Sequence, residues 1–171
     1  MAKVNVRPAH YTDFDTISEM MKGFVTLHHR WQPDVFRTAM LGFTAAIFQG
    51  WLERKNERHL VAEVEGVVSG YACAARWEGW GNDLVWQRRN VYVPFIVVAP
   101  GKRRNGIGRA LFAAIEVWAA EFEAEYIGLN VSPMNETARA FYAALGYEAS
   151  NEYRAKTLRK ITRIASPPSP E

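Results

Sequence analysis

Cysteine is nearly absent: Cys73 is the one thiol in 171 residues. A single cysteine excludes an internal disulfide framework and fits a reducing compartment. The four histidines are scattered, so histidine and cysteine spacing forms no metal-ligand cluster and no metal is expected. No apolar run reaches the roughly 18 residues of a membrane-spanning helix, and the opening "MAKVNVRPAH" has no apolar leader stretch. The expectation is a cytoplasmic protein without a membrane partner. Surplus charge is also scarce. A formal net charge of +3 allows an anionic ligand but lacks the concentrated basic face of a nucleic-acid binder. The basic stretch "RAKTLRKITR" has little interleaved aromatic character beyond Tyr153 and reads as a solvated strand edge.

What is present is a globular chain, 49% hydrophobic and 23% charged, long enough for one domain with a real core. "KVNVR" alternates and reads as a strand. Thr12 or Asp13 is the expected N-cap of a first helix, with Phe14, Ile17, Met20, Met21, Phe24 and Leu27 at helical spacing. Pro33 ends it near Gln32, and a second helix is expected over Asp34–Lys55. "HLVAEVEGVVSGYACAARW" reads as two strands about a tight turn at Glu65–Gly66. "VYVPFIVV" reads as a strand buried on both faces, with a bulge at Pro94. Further helices are expected over Gly106–Glu123 and "MNETARAFYAALGY", the latter closed by Gly146. "YIGLNV" is a strand between them, and "EASNEYRAKTLRK" a last strand. The order β-α-α-β-β-β-α-β-α-β describes one mixed α/β (α+β) domain, spanning about residues 1–160 with a flexible tail over 161–171.

The stretch "VVAPGKRRNGIGRALFAAIEVW" sets basic residues and glycines before a helix. Gly101 and Gly106 have P-loop spacing, but Ile107 and Gly108 stand where Lys and Ser/Thr are required. Gly106 and Gly108 begin a dinucleotide fingerprint, but Leu111 replaces its last glycine and no regular βαβ series precedes it. Arg103-x-x-Gly106-x-Gly108 between strand and helix instead resembles the pyrophosphate loop of the GNAT N-acetyltransferase superfamily. Amides at a helix start lack internal partners and favour an anion, and glycines permit close approach. A second motif, Asn135-x-x-Ala138-x-x-Phe141-Tyr142-x-x-x-Gly146-Tyr147, resembles the family's "N-x-x-A-x-x-x-Y-x-x-x-G-F", with tyrosine at its end. One helix and one strand separate the two motifs, as in that family, and the resemblance spans about Val4 to Leu158.

The resemblance implies a central mixed, mostly antiparallel sheet flanked by helices, in which the strands "VYVPFIVV" and "YIGLNV" run parallel and splay apart around acetyl-CoA. It implies that the backbone of Val97 and Val98 holds the pantetheine arm. It places the pyrophosphate on Arg103, Arg104, Asn105, Gly106, Ile107, Gly108 and Arg109, and Asn135 near the cofactor arm. Tyr142 matches the tyrosine that protonates the leaving sulfur; its other reading is core packing. The family often carries a carboxylate on the central strand, and Val91–Val98 has none. The candidates for the base are therefore water, Glu78, Asp83, His28 and His29; histidine titrates near neutrality.

Acceptor selection is expected in "LHHRWQPDVFR", where Arg30 and Arg37 suit a carboxylate or simple solvation, and in "WEGWGNDLVW". Trp77, Trp80 and Trp86 suit an acceptor wall, packing on the N-terminal helices, or a homodimer edge. The leading reading is an N-acetyltransferase acting on a primary amine of a small molecule by direct attack. The alternatives are a protein N-terminal or lysine acetyltransferase and a non-catalytic acyl-CoA-binding regulatory domain.

Overall fold

The computed structural model describes residues 3–37, 42–78, 84 and 86–156, with the side chain of Glu78 outside that set. Strand β1 (Val4–Pro8) leads through a 3-10 turn (Tyr11–Asp13) into helix α1 (Phe14–Trp31) and then α2 (Ala45–Leu52). Strands β2 (Glu57–Val64), β3 (Val67–Glu78) and β4 (Arg89–Val98) follow, then α3 (Ile107–Glu121), β5 (Tyr126–Gly128) and α4 (Glu136–Ala143). The sheet order is β1-β2-β3-β4-β5; every pairing is antiparallel except β4 with β5. This is the expected single mixed sheet.

Hydrophobic side chains divide between the two faces. One core contains Val91, Val93, Ile107, Leu111, Phe112, Ile115 and Trp118, with Phe141 and Tyr142 packed against it. The other contains Ile17, Met20, Met21, Phe48, Val61, Tyr71 and Cys73, with Phe24, Trp51, Phe95 and Val97 at its border. Helices α3 and α4 therefore cover one face, and α1 and α2 the other. Gly70 sets how closely α3 approaches, since a Cβ there would lie 2.6 Å from Ile107 Cγ2 and 3.2 Å from Leu111 Cδ1.

Local signals explain most boundaries. Glu65 and Gly66 both take positive φ, 54° and 78°, as the tight hairpin turn requires. Helix α1 stops where Gln32 leaves the helical region before Pro33. Gly146 (φ 88°) closes α4: Tyr147 N–H donates to the Tyr142 carbonyl and Gly146 N–H to that of Ala143, each at 3.0 Å, a Schellman motif. The β3–β4 register slips between Cys73 and Ala75, opposite Tyr92 to Phe95, leaving one extra residue in β4. That is the bulge expected at Pro94, whose missing N–H cannot join a ladder.

Three expectations are corrected. Asp13 holds the N-cap position of α1 without capping it. Its carboxylate accepts from His10 N–H at 2.8 Å and from both terminal nitrogens of Arg7 at 2.8 and 2.9 Å. Arg7 also donates from Nε to Glu63 at 2.8 Å, so the charge network ties β1 to β2 and fixes the entry to α1. Helix α2 begins at Ala45 rather than Asp34, because Thr44 Oγ1 caps the Ile47 amide at 3.3 Å and Gly42 has a non-helical φ of 96°. The segment "EASNEYRA" forms no strand; it is exposed along its length, with no apolar stripe to bury. Residues 157–171, including the rest of that expected strand and the tail, lie outside the described residues.

Candidate active site

The glycine loop turns the chain from β4 into α3. Gly101, Arg104 and Gly106 adopt positive φ of 78°, 67° and 78°. Lys102 N–H donates to the Ala99 carbonyl at 3.1 Å, and Asn105 Nδ2 to that of Lys102 at 3.4 Å. Gly106 is the N-cap of α3, no side chain caps the helix, and the Ala110 amide makes the first bond back to Gly106 O at 2.9 Å. The amides of Ile107, Gly108 and Arg109 thus precede the helical ladder and concentrate the positive end of its dipole. Arg103, Arg104 and Arg109 are exposed around them, and Lys102 is half-buried.

The two glycines serve different ends. Gly106 has open space where a Cβ would stand, and its left-handed φ is what requires glycine. At Gly108 a Cβ would lie 3.0 Å from Phe141 Cζ. The near neighbour of residue 108 is thus the second motif, seated on the first turn of α3.

Beside this loop the sheet opens. Strands β4 and β5 pair in parallel only through Asn90–Tyr126, Val91–Ile127 and Tyr92–Gly128. Among the described residues nothing pairs with β4 beyond Tyr92 on that side, although Phe95, Ile96, Val97 and Val98 remain paired with β3 on the other. The separation starts at the Pro94 bulge. Val97 borders one core and Val98 the other, both half-buried. The strand is not buried on both faces as expected: Tyr92 is exposed and receives a hydrogen bond on its hydroxyl from Asn130 Nδ2 at 3.1 Å.

Asn135 caps α4, its Oδ1 accepting from the Ala138 amide at 3.1 Å, which leaves its amide nitrogen as the group to offer a ligand. The Tyr142 ring lies edge-on to Phe112, centroids 5.6 Å apart, beside Phe141 and Tyr147. Both readings of this residue therefore have support: the ring packs, and burial pushes its hydroxyl up to about 12, so it keeps its proton at neutral pH. Tyr147 is likewise pushed up to about 12, by burial first and then by the nearby Glu116.

The base candidates separate. His28 Nδ1 is 2.9 Å from the Phe24 carbonyl and His29 Nδ1 is 2.6 Å from that of Phe36. A carbonyl only accepts, so each Nδ1 carries hydrogen and a neutral ring keeps its lone pair on Nε2. His28 lies among Phe24, Trp31 and Phe36, and Phe24 in turn touches Phe95 on β4. Asp83, Trp80 and the Glu78 side chain lie outside the described residues. Trp77 and Trp86 are exposed.

One cluster is invisible in sequence spacing. Glu57, His59 and Cys73 place their polar atoms within 4.8 Å of one another. His59 bridges Glu57 Oε2 through Nε2 at 3.0 Å and the Tyr71 hydroxyl through Nδ1 at 2.8 Å. Desolvation lowers the His59 pKa, with Glu57 opposing it, and burial pushes the Cys73 thiol up to about 12. Strand alternation on β2 and register with β3 assemble this group, which corrects the expectation that these histidine and cysteine side chains lie apart.

Residues 21–147 match the family model described as the acetyltransferase (GNAT) family. The phosphinothricin N-acetyltransferase of Streptomyces viridochromogenes is 26% identical over 98% of this chain and 92% of its own. The 5-NmdU N-acetyltransferase of Pseudomonas phage PaMx11 is 30% identical over 75% of this chain and 79% of its own. A mutant form of the BH1408 protein of Bacillus halodurans shares the fold at a TM-score of 0.86 and 24% identity, covering 91% of this chain and 99% of that one. The aminoglycoside N-acetyltransferase AAC(6')-Iy in complex with CoA shares it at 0.68 and 19%, covering 91% and 99%.

Proposed function

The chain belongs to the GNAT acetyltransferase family and is an N-acetyltransferase, and from that premise we propose that it moves the acetyl group of acetyl-CoA to the amine of a small molecule by direct attack. The observation that carries the reading is the parallel pair β4–β5, which parts after Tyr92 beside the uncapped start of α3. Relatives named for the acetylation of phosphinothricin and 5-NmdU support a small-molecule acceptor.

Acetyl-CoA supplies the acyl group as an activated thioester. The amides of Ile107, Gly108 and Arg109 hold the pyrophosphate, with Arg103, Arg104 and Asn105 shaping the loop around it. The backbone edge of β4 at Val97 and Val98 takes the pantetheine arm as an added strand. The Asn135 amide nitrogen holds the arm from the start of α4. Tyr142, protonated at neutral pH, gives a proton to the departing sulfur. Proton removal from the amine is shared by water and polar groups, with the Nε2 atoms of His28 and His29 nearest in chemistry.

Calorimetric titration with acetyl-CoA tests the cofactor site. Gly106→Val forces a branched side chain into a left-handed conformation, a strain of about 1–3 kcal/mol, and turns the first amides of α3. Binding should be lost while the circular dichroism spectrum is kept. Wild-type affinity in a folded variant would remove the loop from the site.

A further inference from the structure

We propose that the acceptor lies against the side of the sheet opposite α3 where β3, β4 and β5 meet, on Trp77, Asn90, Tyr92, Tyr126 and Asn130, and that this subsite selects an aliphatic amine carrying a second, cationic amino group. The proposal rests on the acetyl-transfer reading above. Register fixes the face. Arg76, Val91 and Ile127 are aligned across the three strands. They turn toward α3: Val91 is in its core, Ile127 packs on that core, and the Arg76 guanidinium lies 4.6 Å from the Trp118 ring centre. Side chains alternate along a strand. Trp77, Asn90 and Tyr126, the adjacent aligned set, therefore point to the opposite face. Tyr92 is two residues along the same face, joined to Asn130. Its pairing with Gly128 is the last before β4 and β5 part, so the patch adjoins the opening.

The chemistry of the patch is specific. Asn90 is only 3% exposed, yet its Oδ1 has no donor. A buried carbonyl in that state is costly until a donor arrives. Trp77 on one side and Tyr126 on the other expose their rings. An unmet acceptor aligned between two exposed aromatic residues is complementary to an ammonium group. It does not suit a carboxylate, and the nearby arginines are already matched: Arg88 pairs with Glu125 at 3.8 Å and Arg89 with Glu123. Arg88 also lies 6.0 Å from the centre of the Tyr126 ring, so Trp77 is the freer face. The attacking nitrogen must be neutral, since an ammonium has no lone pair. The cation held at Asn90 is therefore a different amino group of the same molecule. In the reaction the free amine forms an N–C bond at the thioester carbon and the C–S bond breaks. The nitrogen loses a proton to the solvent route, and the sulfur takes one from Tyr142.

The test compares kcat/KM for butylamine and diaminobutane in the wild type, Asn90→Leu, Asn90→Asp and Trp77→Leu, with acetyl-CoA affinity measured by calorimetry. The wild type should prefer the diamine by about tenfold or more. Asn90→Leu and Trp77→Leu should erase that preference through KM, Asn90→Asp should retain it, and cofactor affinity should hold throughout. Equal use of the two amines by the wild type, or a preference that survives Asn90→Leu, would overturn the subsite alone. If Asn90→Leu does not fold, Trp77→Leu decides, because its exposed ring is removed without emptying the core; a preserved preference there overturns the subsite. A wild type that releases no CoA with any primary amine overturns the acetyl-transfer reading itself, and the subsite with it.

Discussion

Single residues here carry the chemistry that is easiest to test. Tyr142→Phe keeps the ring against Phe112 and removes the acid, so turnover should fall by about 10²-fold with little change in acetyl-CoA affinity. Wild-type turnover, where chemistry limits the rate, would take Tyr142 out of the mechanism. His28→Gln and His29→Gln should each cost about tenfold or less, whereas a dedicated base would cost roughly 10²–10⁴-fold and remove a limb of the pH profile. His59 makes a prediction about stability. Desolvation depresses its pKa below 6.5 in the folded state. The unfolded chain then binds more protons below that value, so the His59 contribution is present above pH 6.5 and lost as the pH falls. Denaturation midpoints should drop on acidification more steeply in the wild type than in His59→Gln; parallel profiles would contradict this. At this scale the sequence was partly legible. Gly106 announces itself by its place before a helix. The reason for Gly108 does not, because Phe141 belongs to another element, and nothing in the spacing of Glu57, His59 and Cys73 reveals a shared cluster on two strands.

Elements were legible where a local signal terminates them. Pro33 ends α1, Gly66 turns the β2–β3 hairpin, Gly146 closes α4, and Pro94 marks the slip in β4. Helix α2 was overextended because apolar residues before Gly42 continue a helical spacing that its backbone conformation breaks. The last expected strand has no local signal behind it, and the exposed "EASNEYRA" has no face to bury. The parting of β4 from β5 depends on which strand lies beside which, and only the family resemblance implied it. The contact between β3 and α3 yields the element-scale prediction. Gly70→Ala would place a methyl 2.6 Å from Ile107 Cγ2, overpacking a site that holds the first turn of α3. A loss of about 1–3 kcal/mol is expected, together with a higher KM for acetyl-CoA as the pyrophosphate amides move. Denaturant titration and steady-state kinetics check the two effects. A weakened cofactor site is the informative one, since mere destabilisation would leave KM unchanged.

In the molecule as a whole, the sheet separates two cores. Helices α3 and α4 bring the glycine loop, Phe141 and Tyr142 to one face. The other face carries α1, α2 and the aromatic patch beside the opening. In the proposed reaction, acetyl-CoA on the first side and an amine on the second would meet at the gap that begins after Tyr92. No helix among the described residues is long and apolar enough to cross a membrane, and of the clustered groups Glu57, His59 and Cys73, the thiol of Cys73 belongs to the α1–α2 core. The most direct test is CoA release from acetyl-CoA across a panel of small primary amines, with the products identified by mass. Amine-dependent release accompanied by a singly acetylated amine is the predicted result. Tight acetyl-CoA binding with no amine-dependent release, and no acetylated product from any member of the panel, would contradict the account.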